Sequence, residues 1–156
     1  MYKRRHIENT ILRLSKSFPV LLLTGPRQVG KTTLLKYLAK KSRHFYVSLD
    51  EFEFRALAKE DPGLFLDQYP SPVIIDEIQY APGLLPYIKS KVDKAGGKCS
   101  YWLTGSQHFH LMRGVSESLA GRVAVLKLLG FSLSEEVGNP SPKEPWKPES
   151  AGIGKT

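Results

Sequence analysis

The stretch VLLLTGPRQVGKTTLL, residues 20–35, restricts the fold of this chain more than any other. Val20–Leu23 is a short, uniformly apolar run, the pattern of a strand covered on both faces. Gly25 and Gly30 then bracket four residues and are followed by Lys31 and Thr32, and a helix-forming run begins. Strand, Gly-x-x-x-x-Gly-Lys-Thr, helix is the signature of a phosphate-binding loop. Its glycines allow turns that aim successive backbone N–H groups inward, and the helix N-terminus adds positive potential. In this reading Gly25, Pro26, Arg27, Gln28, Val29 and Gly30 form the cradle. Lys31 reaches the β- and γ-phosphates, the Thr32 hydroxyl binds Mg²⁺, and Thr33 assists at the α-phosphate.

A second Gly-Lys-Thr occupies residues 154–156, and it fails the same test. The first glycine would have to stand at 149, which is Glu149, and a proline-rich stretch replaces the strand. It is read as an accident of composition.

The rest of the chain alternates in the same manner. Residues 5–17 suggest a helix with Ile7, Ile11, Leu12 and Leu14 near one face, stopped by Pro19. Strands are expected at 45–49, 72–76, 101–105 and 123–129, and helices at 31–42, 51–60 and 84–94. Asp61-Pro62 resembles an N-cap followed by proline at the first helical position, opening a short helix through Gln68. Strands separated by helical segments imply an α/β fold with a parallel sheet in a three-layer αβα sandwich. From Asn139 onward Pro140, Pro142, Pro145 and Pro148 interrupt any regular element. The compact domain is therefore expected to span 1–138, with 139–156 a linker or frayed tail.

Charge is unevenly spread. The net charge is +8, yet residues 1–43 hold eleven Lys and Arg against Glu8 alone. A basic front suits nucleic acid or an acidic partner, and equally a solvated amphipathic helix beside a phosphate site. No apolar run approaches the roughly 20 residues of a membrane span, and the N-terminus lacks a signal-peptide pattern. A cytoplasmic location without membrane association is expected. One cysteine, Cys99, excludes an internal disulfide and a cysteine-rich metal site.

Hydrolysis of a bound triphosphate needs a metal anchor and a group that activates water. VIIDE, residues 73–77, offers both: Asp76 for Mg²⁺ and Glu77 for the attacking water. The bland alternative is an N-cap signal at a strand end. Gln79 is a weaker candidate for sensing the γ-phosphate. The strand at 101–105 brings Thr104 and Ser106 to the same sheet edge, either to contact water or γ-phosphate or as an ordinary turn with Ser106 as N-cap. Arg122 suits stabilisation of a transferring phosphoryl group, in cis or from a neighbouring subunit, and equally a surface ion pair. Ser90-Lys91-Val92-Asp93 only superficially resembles a guanine-reading motif, since it falls inside a helix; ATP is favoured over GTP. His108 and His110 flank Phe109 without an adjacent carboxylate or cysteine and are poor metal ligands.

LLLTGPRQVGKTTLL, FEFRALAKEDPGLFLDQYPSPVIIDEIQYAPGLLPYIK, YWLTGSQ and SESLAGRVAVLKLLGFSLSE together resemble a widespread bacterial and archaeal family of AAA-like P-loop ATPases, over about residues 2 to 136. The resemblance implies an additional-strand core of order 5-1-4-3-2. It also implies Gly25–Thr32 as Walker A, Asp76-Glu77 as Walker B, Thr104–Ser106 as the sensor strand, and Arg122 as the arginine before the fifth strand. Members are longer and carry a C-terminal domain, where this chain has NPSPKEPWKPESAGIGKT. The expectation is Mg²⁺-dependent ATP binding with slow hydrolysis to ADP, self-association if the arginine acts in trans, and a truncation before that domain. The alternative is a nucleotide-dependent binding module, associated with DNA through the basic N-terminal region. A small-molecule kinase is a third reading, disfavoured by the lack of an arginine-rich lid segment.

Overall fold

The computed structural model describes residues 1–106 and 109–138. His108, the expected tail at 139–156 and the second Gly-Lys-Thr lie outside the described residues.

Five strands form one parallel sheet: β1 (Val20–Thr24), β2 (Phe45–Ser48), β3 (Val73–Asp76), β4 (Tyr101–Gly105) and β5 (Val123–Lys127). Their order is β2-β3-β4-β1-β5, which is the expected 5-1-4-3-2 read from the other edge. β1 lies between β4 and β5, with Leu22 opposite both Leu103 and Val125. β4 thus separates the strand leading into the glycine-rich loop from the strand ending in Asp76.

Every residue of β1 and β3 is buried, which is why both read as continuous apolar runs rather than alternating ones. Side chains still point alternately to the two faces. Leu21, Leu23, Ile74 and Trp102 pack against α1 (Glu8–Ser17) and α2 (Lys31–Ala39). Val20, Leu22, Val73, Ile75 and Leu103 face the second layer. That layer comprises α3 (Phe52–Glu60), α4 (Pro62–Gln68), α5 (Leu84–Lys94) and α6 (Phe109–Leu119). Phe65 and Ile88, both fully buried, fill its centre. The edge strands are partly open, with Phe45 and Val125 exposed.

Local signals account for the element ends. Asp61 caps α4 by accepting from the Leu64 N–H at 2.9 Å, with Pro62 at the first helical position. α5 closes on Gly96 and Gly97, both at positive φ. α1 is shorter than expected, beginning at Glu8, and Leu12 is exposed while Ile11 is fully buried. The fifth strand ends at Lys127, although the Leu128 N–H still donates to the Thr24 carbonyl at 2.7 Å. Two helices go beyond the sequence reading, α6 and the four-residue α7 (Leu133–Glu136). α6 buries Leu111, Val115 and Leu119 at four-residue spacing. α7 opens with a capping box between Ser132 and Glu135.

Candidate functional site: a phosphate cradle at the carboxyl edge of the sheet

Because all strands run one way, their carboxyl ends share one edge, where ligands of open parallel sheets are held. β1 delivers Gly25–Gly30 there, β3 delivers Asp76 and Glu77, and β4 delivers Ser106. The loop turns through positive φ at Gly25, Gln28 and Gly30 (150°, 62° and 90°). Gly25 is required sterically: a Cβ there would lie 2.1 Å from the Leu128 carbonyl oxygen. Gly30 serves as N-cap of α2, so Lys31 and Thr32 occupy its first turn, where backbone N–H groups have no intrahelical partner.

Lys31 is buried. Its ammonium donates to the Gly25 carbonyl at 3.0 Å and the Pro26 carbonyl at 2.7 Å, bringing the cation beneath the loop. Pro26, Arg27 and Gln28 are exposed around it, and Val29 and Thr33 follow on the same loop and the first turn of α2. Arg27 donates to the Tyr80 hydroxyl at 3.3 Å. Beside the loop a pocket of about 310 Å³ is walled by Tyr2, Gln28, Val29, Thr33 and Phe131.

The loop and the β3 end meet directly. The Thr32 hydroxyl donates to Asp76 Oδ1 at 2.7 Å. Thr104 also donates to Oδ1, and the Tyr46 hydroxyl donates to Oδ2 at 2.9 Å. Burial, then the charge and hydrogen bond of Asp76, pushes the Tyr46 phenol up to about 12, and the Lys36 ammonium lies 3.4 Å from its ring centre. Tyr46 is a site residue that sequence reasoning does not reveal. It is the second residue of a strand recognised only for its apolar character, and its pairing with β3 is the missing information.

One carboxylate and one hydroxyl in contact make a hard oxygen donor set. Mg²⁺ is held in this way, by one or two carboxylates together with phosphate oxygens and water. Among the described residues no group of three or more His, Cys, Asp and Glu could hold a metal without that help. Thr32 and Asp76 have the oxygen-donor chemistry that such an ion takes.

Glu77 leaves the strand in the left-handed conformation, φ 60° and ψ 48°, a rare state for a non-glycine residue. Its N–H donates to the Thr104 hydroxyl at 3.0 Å, which pins the conformation. Gln79 Nε2 donates to the Glu77 carboxylate, while Gln79 Oε1 accepts from the Ser106 N–H at 3.3 Å. Thr104 is fully buried, and its hydroxyl touches both acidic residues, donating to Asp76 and accepting from the Glu77 N–H. Ser106 is placed differently. Its buried hydroxyl has no hydrogen-bond partner among the described residues, and the described part of α6 begins at Phe109.

Arg122 is not brought to the site. It precedes β5, and the amino ends of parallel strands lie at the opposite edge of the sheet, where its carbonyl accepts from the Val20 N–H. Its guanidinium forms a two-pronged pair with Asp93 at 2.6 and 3.2 Å. A role in cis is thereby removed, because the whole length of the sheet intervenes. Arg5 departs from the expected basic surface: it is buried, whereas Lys3, Arg4, Arg13 and Lys16 are exposed. Among the described residues no helix is long and apolar enough to cross a membrane.

A family model described as an AAA domain matches residues 17–137, most of the chain. The chain belongs to the AAA domain family. Membership in this AAA-type P-loop ATPase family supports nucleotide binding. This AAA domain is 33% identical over 146 residues to uncharacterized proteins of Mycobacterium tuberculosis and Mycobacterium bovis, covering 94% of this chain and 33% of each of theirs. It thus spans about a third of the length of these relatives. Among solved structures it resembles the Thermotoga maritima RuvB Holliday junction branch migration motor (TM-score 0.57, 20% identity, 85% of this chain and 48% of that one). It also resembles the Aeropyrum pernix ORC2 protein in its ADP form (TM-score 0.51, 14% identity, 82% and 48%). At these identities the likeness concerns the fold, a three-layer P-loop architecture.

Proposed function

We propose that this AAA domain binds Mg²⁺-ATP at Gly25–Thr33 and hydrolyses it slowly, with Glu77 as the water-activating residue. The observation that carries this is the junction of loop and strand, Thr32 Oγ1 to Asp76 Oδ1 at 2.7 Å beside the buried Lys31. Lys31 and the loop amides supply positive charge to the phosphates, and the pocket beside Tyr2 and Phe131 takes the base and ribose. Bound Mg²⁺, held by Thr32 and Asp76, offsets phosphate charge. Glu77 accepts a proton from water once its carboxylate is free of Gln79. Thr104 fixes both acidic residues, and the buried Ser106 hydroxyl, without a partner among the described residues, follows on the same strand end.

Glu77→Gln tests the assignment: ADP and ATP binding stay within a few-fold of wild type while phosphate release stops. Continued release would exclude Glu77 as the base. Arg122 enters only from a second copy of the chain, which turnover per molecule rising with protein concentration would support. Turnover independent of concentration and unaffected by Arg122→Ala would remove it.

A second reading is a nucleotide-dependent nucleic-acid-binding module, favoured by exposed Lys3, Arg4, Arg13 and Lys16 along the N-terminal segment and α1. Charge reversal of these four residues, leaving Arg5 intact, should abolish salt-sensitive retention of DNA in a gel shift. Absent or salt-insensitive retention by wild type would exclude it.

A further inference from the structure

Among the described residues Arg5 is the most heavily bonded charged side chain outside the acidic pair, and the phosphate chemistry described above makes no use of it. Its side chain is 4% exposed and lies against Glu135, itself 6% exposed, with Nε donating to Oε1 at 3.2 Å. Nη1 donates to the Val29 carbonyl at 3.0 Å. Nη2 donates to the carbonyls of Leu129 at 2.7 Å and Gly130 at 3.2 Å. The ring of Phe131 covers the guanidinium, 4.1 Å from its carbon. One planar fork thus joins the N-terminal segment, the phosphate loop and the segment that follows β5. Lysine, a point donor, could not span these acceptors.

Glu135 completes the junction. It accepts from the His6 N–H at 2.7 Å, and its other oxygen accepts from the Ser132 N–H at 2.8 Å. Burial pushes its carboxyl up, but the amides of Ser132 and His6 and the Arg5 guanidinium outweigh this and hold it below the usual range. The charge is therefore present to fix Arg5 at neutral pH.

The contact with Val29 has a direct consequence for the loop. In a trans peptide the carbonyl and the next N–H point in opposite directions. Holding the Val29 carbonyl toward Arg5 turns the Gly30 N–H away from it. Gly30, at φ 90°, has wide backbone freedom of its own, so this peptide needs an external hold. On the other side of the guanidinium, residues 129–137 carry Leu129, Phe131, Leu133 and Val137 exposed.

We infer that Arg5 is a positioning residue that locks the Val29–Gly30 peptide of the phosphate loop to residues 129–135, so that occupation of the loop is transmitted to that segment. The transmission part rests on the nucleotide reading above; the lock itself does not.

The test uses the full chain, with ADP and Mg²⁺ as the probe, amide hydrogen exchange of residues 25–31 and 129–135 as the readout, and β4 as an internal control. In wild type, ADP should slow exchange in both segments. Arg5→Lys should exchange at least about tenfold faster in both segments without ADP, with β4 unchanged, since one or more charge-assisted bonds are lost. It should bind ADP about tenfold more weakly, and at saturating ADP protect the loop but not residues 129–135. A purely structural role would not separate those two protections. Glu135→Gln, which removes the charge facing Arg5 and keeps an acceptor oxygen for only one of the two amides, should give the same pattern, and it serves if Arg5→Lys does not fold. Wild-type exchange at 129–135 in these variants, or ADP protection still reaching that segment, overturns the inference. If ADP protects nothing in wild type, the nucleotide reading and the transmission both fail, and the ligand-free comparison alone decides the lock.

Discussion

Replacing Gly25 with alanine separates steric necessity from backbone strain at the cradle. At φ 150° an alanine is strained whatever space it has, and positive φ costs an L-residue roughly 1–2 kcal/mol. Here the new Cβ would also sit 2.1 Å from the Leu128 carbonyl oxygen, more than an ångström inside normal contact. That oxygen belongs to backbone, and the same residue's N–H is held by Thr24 at 2.7 Å, so relief requires peeling the chain away from the end of β1. Overpacking costs roughly 1–3 kcal/mol and a lost hydrogen bond about 1 kcal/mol. Together the loss is about 3–6 kcal/mol. Gly30→Ala supplies the control: φ is 90°, but nothing lies within 4 Å of the added Cβ. Strain alone then predicts a loss of about 1–2 kcal/mol. Urea titration followed by circular dichroism reads the difference. With a slope of about 2 kcal/mol/M, Gly25→Ala should lower the midpoint by about 2 M and Gly30→Ala by less than about 1 M. Equal shifts, or a Gly25→Ala midpoint within about 0.5 M of wild type, would refute the claimed close approach of the chain leaving β5 to the loop.

Three further outcomes follow from the site and its surroundings. Thr104→Val leaves the Glu77 N–H without its acceptor and takes one of three hydroxyl donors from Asp76, so it should cost about 1–3 kcal/mol in urea and abolish phosphate release; Thr104→Ser should recover both. Tyr46→Phe removes one of three hydroxyls from Asp76 and should weaken nucleotide binding in Mg²⁺ more than in its absence, as read by titration calorimetry. His44, half-buried against Trp102, has its imidazole pushed by burial from 6.5 down to about 4. The folded state resists protonation that the unfolded chain accepts, so this contribution is fully present above pH 6.5 and is lost as pH falls toward 4. The urea midpoint should drop between about pH 7 and pH 5, and His44→Gln should flatten that drop.

Features that depend on neighbours along the chain are legible in the amino-acid sequence alone. β1, the glycine-rich loop and α2 form one continuous signature, and α5 matches its expected limits because Leu84, Leu85, Ile88 and Val92 keep helical spacing until Gly96. The same logic extends to α6 through Leu111, Val115 and Leu119, and to α7 through Ser132 and Glu135, but both sit where loop-like residues obscure the pattern. Features that depend on topology are less accessible. Arg122 adjoins β5 in sequence, yet strand direction puts it at the far edge from the loop. Thr104 reads as a sensor, and its contacts with Asp76 and Glu77 come from register. Arg5 looks like part of a solvated basic run; its partners Val29, Leu129 and Glu135 lie 24 to 130 positions away, beyond any local pattern. Tyr46 reaches Asp76 only because β2 pairs with β3.

Calorimetric titration of Mg²⁺-ADP into the purified chain and into Lys31→Ala tests the central claim most directly. One saturable site in wild type, lost or weakened at least about a hundredfold when the buried ammonium is removed, is the predicted result. A folded wild-type chain that gives no binding heat, or a Lys31→Ala chain that binds equally well, would contradict it.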